Sequence, residues 1–122
     1  MTNQSTAPWA WLETPADHHK IFADKGLWEN RTIADFAIEQ ANADPDFVNF
    51  IAGDRHVTRA ALLRDAQALS VSLYDLGLRF GDVVSFQTPN WVEAAVINLS
   101  ATLSGLVINP IVPIYRDMEV GM

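Results

Sequence analysis

The stretch from Gly77 to Arg116, GLRFGDVVSFQTPNWVEAAVINLSATLSGLVINPIVPIYR, constrains the fold of this chain more than any other segment. Its apolar residues change period along its length. Val83 to Gln87 reads as a strand entered through the turn Gly81-Asp82, and Thr88-Pro89-Asn90 forms the loop leading out of it. Val92, Ala95, Val96, Leu99 and Leu103 then recur at helical spacing until Gly105 closes the helix, with Asn90 and Glu93 as a capping pair. Leu106 to Asn109 follows as an almost wholly apolar strand, the pattern of a strand buried in a sheet. Strand, helix and strand in that order predict a parallel crossover, right-handed by the general rule for such connections.

The residues upstream predict helices around a small hairpin. Thr32 and Asp35 fit a capping box, Ile33, Phe36, Ala37 and Ala41 share one apolar face, and Asp44-Pro45 ends that helix. Phe47 to Ala52 is rich in strand formers, Gly53-Asp54-Arg55 supplies a turn, and His56-Val57 makes a short return strand. Thr58 caps a longer helix in which Leu62, Ala66, Leu69, Leu73 and Leu76 recur until Gly77 provides a left-handed stop. Residues 1–31, interrupted by Pro8 and Pro15, read as an irregular lead-in with a short helix near Asp17 to Lys25. Residues 32–122 read as an incomplete subdomain, in which Asp117 to Met122 begins another helix and stops after about one turn, too short to be stable alone.

Size and composition narrow the function classes. A chain of 122 residues with 49% hydrophobic residues can build a core, since chains of this length bury about two-thirds of their unfolded surface. Fifteen acidic against eight basic residues give a net charge of -7, which repels phosphate backbones and anionic lipid surfaces. The absence of cysteine excludes a disulfide framework, a thiolate zinc site and a cysteine nucleophile, and fits the cytoplasm. No Lys or Arg precedes Lys20, so the start has no basic secretory leader pattern. Trp91 to Tyr115 approaches the length of a membrane span, yet Gly105, Asn109, Pro110 and Pro113 interrupt it, so a buried helix followed by a strand is the expectation and no span is predicted.

No catalytic or metal-ligating set stands out. His18 and His19 are adjacent and do not share a helix face, so they are read as solvent-facing, and His56 beside Arg55 is read as structural. The carboxylates Asp44 and Asp46, or Glu13 and Asp17, fall at turns and helix starts, and Gly77, Gly81 and Gly105 lack the lysine and hydroxyl residue that complete a phosphate-cradling loop. One positional rule does point to a site. In open parallel sheets ligands gather outside the carboxyl ends of strands, which makes Thr88, Asn90, Trp91 and Asn109 the candidates for a cleft edge; otherwise Asn90 caps a helix and Trp91 fills core.

These residues together resemble the N-terminal region of AMP-forming acyl-CoA synthetases, within the adenylate-forming superfamily. The resemblance runs from Gly26-Leu27-Trp28 to the end. Asp44-Pro45 and Gly53-Asp54-Arg55 lead into Val57-Thr58-Arg59-Ala60-Ala61-Leu62, a form of the early "LTYxEL" motif in which Arg59 and Ala61 replace the usual tyrosine and glutamate. Leu76-Gly77, Gly81-Asp82-Val83-Val84, Pro89-Asn90-Trp91 with Glu93, and Leu103-Ser104-Gly105 into Asn109-Pro110 then follow in family order, Ser104 standing where alanine is usual. Asn109 to Arg116 is similar to the acid-CoA ligases of the cyclohexanecarboxylate and fatty-acid type.

The resemblance implies part of an α/β N-terminal domain, and a parent reaction that uses ATP, Mg2+ and CoA to turn a carboxylic acid into an acyl-CoA with release of AMP and pyrophosphate. It places the nucleotide loop, the adenine- and ribose-contacting motifs and the catalytic lysine beyond Met122. No catalytic, metal or cofactor-binding residue is therefore assigned here, and the chain is expected to be inactive alone and to pair with the remainder of its parent. The alternative is a non-enzymatic module that binds a companion chain or itself through the apolar surface of residues 91–115, since an incomplete sheet leaves an open edge.

Overall fold

The computed structural model describes residues 15–116 and Gly121, so the first fourteen residues of the lead-in expected over 1–31 and the helix expected over 117–122 lie outside the described residues, Gly121 apart. The chain divides into two compact units, Met1–Arg31 and Thr32–Met122. In the first, α1 (Ala16–Asp24) carries an exposed Lys20–Asp24 ion pair of 2.6 Å one turn apart. His19 packs against Trp28 at 4.7 Å between ring centroids with the rings tilted by 39°, and Phe22 meets the same indole edge-on at 6.3 Å.

The second unit begins with α2 (Ile33–Ala43). Thr32 Oγ1 accepts from the Asp35 backbone N–H at 3.3 Å while the Thr32 backbone N–H donates to Asp35 Oδ2 at 2.6 Å, which completes the predicted capping box. Only part of the face read from the sequence is covered: Ala37 packs on the core, whereas Phe36 is exposed. Ala34 and Ala41 are buried and Ile33 is 73% exposed, because the helix approaches its neighbours through small residues.

The hairpin pairs β1 (Val48–Ala52) antiparallel with β2 (Arg55–Thr58), with a register irregularity between Val48 and Phe50. Helix α3 (Arg59–Asp75) starts directly from β2. Thr58 Oγ1 accepts from the Ala61 N–H, and the N–H groups of Arg59 and Ala60 donate to the carbonyls of Phe47 and Pro45. The Arg59 guanidinium lies 4.1 Å from the Phe47 ring centroid and 3.7 Å from the Asp44 carboxylate, so the arginine in the altered motif ties the hairpin's entry to the helix. At the other end Gly77, with φ +101, donates to Tyr74 O, and Leu78 donates to Leu73 O, a Schellman stop where the sequence placed one.

Strand β3 (Val83–Phe86), helix α4 (Val92–Ser104) and strand β4 (Val107–Pro110) form the expected crossover, with β3 parallel to β4 and Ser85 opposite Asn109. The core joins Val57, Leu62, Ala66, Val92 and Leu99, flanked by Ala95, Val96 and Leu103. It sits where α3 and α4 pack on each other. Ala66, Ser100 and Ala101 have no exposed surface, and these small residues permit the close approach.

Three expectations are corrected. The apolar stripe of α3 does not stay buried to its end: Leu62 and Ala66 are buried, whereas Leu76 is 77% exposed past the last helical residue. Strand β4 is exposed along all four residues, because α4 packs against it while among the described residues no second layer encloses it. Asn90 and Glu93 do not form the cap of α4. Trp91 occupies the N-cap position without a side-chain cap bond, since an indole offers no acceptor, and its side chain is exposed rather than in the core.

Candidate functional site

The carboxyl ends of β3 and β4 face the first turns of α4 across a cleft of about 360 Å³. Its floor and one side come from Phe86, Thr88, Pro89 and Asn90, the helix contributes Ala94 and Asn98, and the opposite wall is the segment Pro110, Ile111, Val112 and Pro113. The strand ladder creates this geometry, since the Ile111 N–H donates to Phe86 O at 2.8 Å and carries the pairing one residue past β4.

The four residues singled out by position separate in the structure. Thr88 and Asn90 line the cleft. Trp91 lines a neighbouring hollow of about 250 Å³ with Phe50, Ile51 and Ala52 of the hairpin, and Asn90, Ala94 and Asn98 border both spaces. Asn109 lines neither: its amide nitrogen donates to Ser85 Oγ at 3.1 Å across the strand pair. Asn98 was missed by sequence reasoning. Its signal was an amide inside an apolar helical run, and its Nδ2 donates to Ala94 O at 2.7 Å, leaving the amide oxygen as an acceptor.

Electrostatically the cleft is neutral. Among the described residues no Lys, Arg, Asp or Glu lines it, so that lining does not fit a triphosphate, the diphosphate of CoA or a magnesium ion. Thr88 Oγ1 is shielded from solvent and has no hydrogen-bond partner among the described residues, an uncompensated group at the cleft margin. The nearby charge is turned outward: Glu93 accepts from Arg55 Nη1 at 3.0 Å. Its own backbone N–H and then the Arg55 hydrogen bond hold the Glu93 carboxyl below the ordinary value of 4.5. Among the described residues no cluster of His, Asp or Glu could hold a metal ion, and no helix is long and apolar enough to cross a membrane.

Residues 38–122 match the family described as AMP-binding enzyme. The chain belongs to the AMP-binding enzymes. It is 33% identical over 101 residues to the medium-chain fatty-acid–CoA ligase of Escherichia coli (strain K12), an alignment covering 80% of this chain and 18% of that protein. A salicylyl-CoA synthase / salicylate adenylyltransferase from Streptomyces sp is 28% identical over 119 residues, 98% of this chain and 21% of that one. The apo structure of MbtA from Mycobacterium smegmatis superposes with a TM-score of 0.79 at 29% identity, covering 88% of this chain and 20% of that chain. The chain thus spans about a fifth of the length of the curated relatives it matches. The α/β fold, with its parallel crossover and hairpin, is that of the N-terminal region of adenylate-forming enzymes.

Proposed function

We propose that this chain is the N-terminal part of an AMP-forming acid–CoA ligase and has no activity by itself. The complete enzyme would use ATP and Mg2+ to convert a carboxylic acid to its acyl adenylate with loss of pyrophosphate, then transfer the acyl group to the thiol of CoA with loss of AMP. The observation that carries the reading is the mismatch in coverage: 80% of this chain aligns with the fatty-acid–CoA ligase, yet only 18% of that ligase is represented. In this reading residues 1–31 are a lead-in, residues 32–122 are an incomplete subdomain, and the complete enzyme works in the cytoplasm. The substrate class stays at carboxylic acids of the fatty-acid or related acid–CoA ligase type. Thr88 and Asn90 contribute scaffold at the cleft edge rather than chemistry, Trp91 lines the neighbouring hollow, and Asn109 ties the strand pair through Ser85.

Two measurements test this. Pyrophosphate exchange into ATP by the purified 122-residue chain should stay at background with octanoate, cyclohexanecarboxylate or salicylate; robust exchange would show that the chemistry resides in this segment. The coding DNA downstream of Met122 should contain, in some adjacent frame, a Ser/Thr/Gly-rich loop ending in Pro-Lys. A stop codon with no such frame would remove the fragment reading.

A second reading is favoured by the exposure of Trp91 at 61%, Val112 at 49%, Ile114 at 79% and Tyr115 at 48%. In it the chain is a non-enzymatic module that associates with itself or a companion chain through residues 91–115. Light scattering on the purified chain separates the two, because a well-folded monomer at all accessible concentrations is incompatible with self-association.

A further inference from the structure

One wall of the cleft is held by the strand ladder only in part: Pro110 belongs to β4 and Ile111 bonds to Phe86, whereas Val112 and Pro113 lie beyond it. Beyond Ile111 the chain leaves the β3–β4 ladder, and residues 112–115 form an exposed strap whose Tyr115 N–H donates to Val112 O at 3.0 Å. Among the described residues, one side chain reaches from the sheet side to two carbonyls of the strap. Gln87, the first residue past β3, donates from Nε2 to Val112 O at 3.1 Å and to Tyr115 O at 2.9 Å, across 25 and 28 residues of sequence. Both partners are carbonyl oxygens, so the amide orientation is fixed by chemistry: only the NH2 end can serve two acceptors, and its two hydrogens match them one to one.

We infer that Gln87 is a positioning residue that fixes the strap and thereby sets the width of the cleft beside Thr88 and Asn90. It lines neither hollow described above and acts through Val112, whose backbone it grips and whose residue forms the wall. The two bonds close a loop that the backbone alone leaves open, and they bracket the turn from Val112 to Tyr115 at both carbonyls. A side chain long enough to reach both carbonyls, with at least two donors at its tip, is required. An acceptor at the same place would face two carbonyl oxygens, and an apolar isostere would leave both carbonyls to water. The importance of the wall rests on the cleft-edge reading of the ligase, whereas its attachment to Gln87 stands on geometry alone.

The test uses the 122-residue chain, 15N-labelled, with Gln87→Met, Gln87→Glu and Gln87→Lys. Gln87 is exposed, so none of these substitutions disturbs the core. In the parent chain the backbone order parameters of residues 112, 114 and 115 should lie near those of β4, about 0.85, and in Gln87→Met and Gln87→Glu they should fall below about 0.6 while Ser85 and Asn109 stay unchanged. Gln87→Lys restores donors without the amide and should keep the strap ordered. A strap as ordered with Gln87→Glu as in the parent overturns the inference, as does a strap as loose with Gln87→Lys as with Gln87→Met. A general loss of order that includes β3 and β4 would make Gln87 a sheet residue and overturn it as well. None of these results depends on pyrophosphate exchange or on the downstream coding sequence, so the clamp and the ligase reading fail separately.

Discussion

Ser70 Oγ donates a 3.0 Å hydrogen bond to the carbonyl oxygen of Ser100, and the two hydroxyl oxygens lie 3.3 Å apart across the seam between α3 and α4. Ser100 has no exposed surface. The seam therefore depends on small size first and on polarity second. Ser100→Leu forces extra volume into a packed contact and should destabilise the chain by about 1–3 kcal/mol. Ser100→Ala keeps the carbonyl that Ser70 uses and should cost no more than about 1 kcal/mol. Urea unfolding of both variants checks the order; a leucine tolerated as well as alanine would mean the helices are not closely packed there.

Two leucines from the same predicted stripe should behave differently. Leu62 is 8% exposed in the core and Leu76 is 77% exposed. Leu62→Ala leaves a cavity and should cost about 2–5 kcal/mol. Leu76→Ala should fall within about 0.5 kcal/mol of the parent. Equal losses, measured by chemical denaturation, would contradict the placement of the end of α3.

Gly105 ends α4 with φ +66, and a Cβ built there would overlap the ring of Phe80. The two penalties are separable. The left-handed backbone costs a non-glycine residue about 1–2 kcal/mol however much space is available. Phe80 is 86% exposed and can swing aside, so steric overlap should add little. Thermal unfolding of Gly105→Ala should show the backbone loss, and Gly105→Ala with Phe80→Ala should recover almost none of it, measured against Phe80→Ala alone. Full recovery would show that the ring, rather than the backbone, sets the requirement for glycine.

The Arg55–Glu93 pair predicts a specific acid dependence. The folded-state carboxyl of Glu93 titrates below its ordinary value of 4.5, because its backbone N–H and Arg55 favour the charged form. The unfolded chain therefore binds the proton more readily as acid is added. This contribution to stability is present above pH 4.5 and is lost as pH falls through the lower folded-state value. Glu93→Gln should flatten the decline of stability in that acidic window and shift the neutral-pH stability only slightly, the pair being solvent-exposed. Unfolding midpoints measured across acidic pH with and without the substitution test it; parallel curves would show that the pair contributes nothing.

The candidate site was partly legible before the fold was seen. The loop after the first strand of the crossover had to lie near a ligand-accessible edge, which is how Thr88 and Asn90 were found. Asn109 followed from the same rule but turns to Ser85, because the pleat of a parallel strand sends alternate side chains to opposite faces and the rule does not specify the face. Asn98 and Gln87 depend on the rotation of α4 and on the return of residues 112–115, which no local pattern encodes.

By itself the sequence determined the elements and their order: the Thr32–Asp35 box, the Thr58 cap, the glycine stops at Gly77 and Gly105, and the parallel crossover. These features are local, set by backbone dihedral preferences, cap acceptors and the period of apolar residues within one segment. Only the tertiary structure decided which apolar residues are buried, that Glu93 answers Arg55 rather than capping α4 with Asn90, and that Gln87 grips the strap. Those outcomes depend on contacts between residues far apart in sequence. An apolar strand reads as buried whenever its composition allows, but burial requires a covering layer, and β4 has all four residues exposed among the described elements.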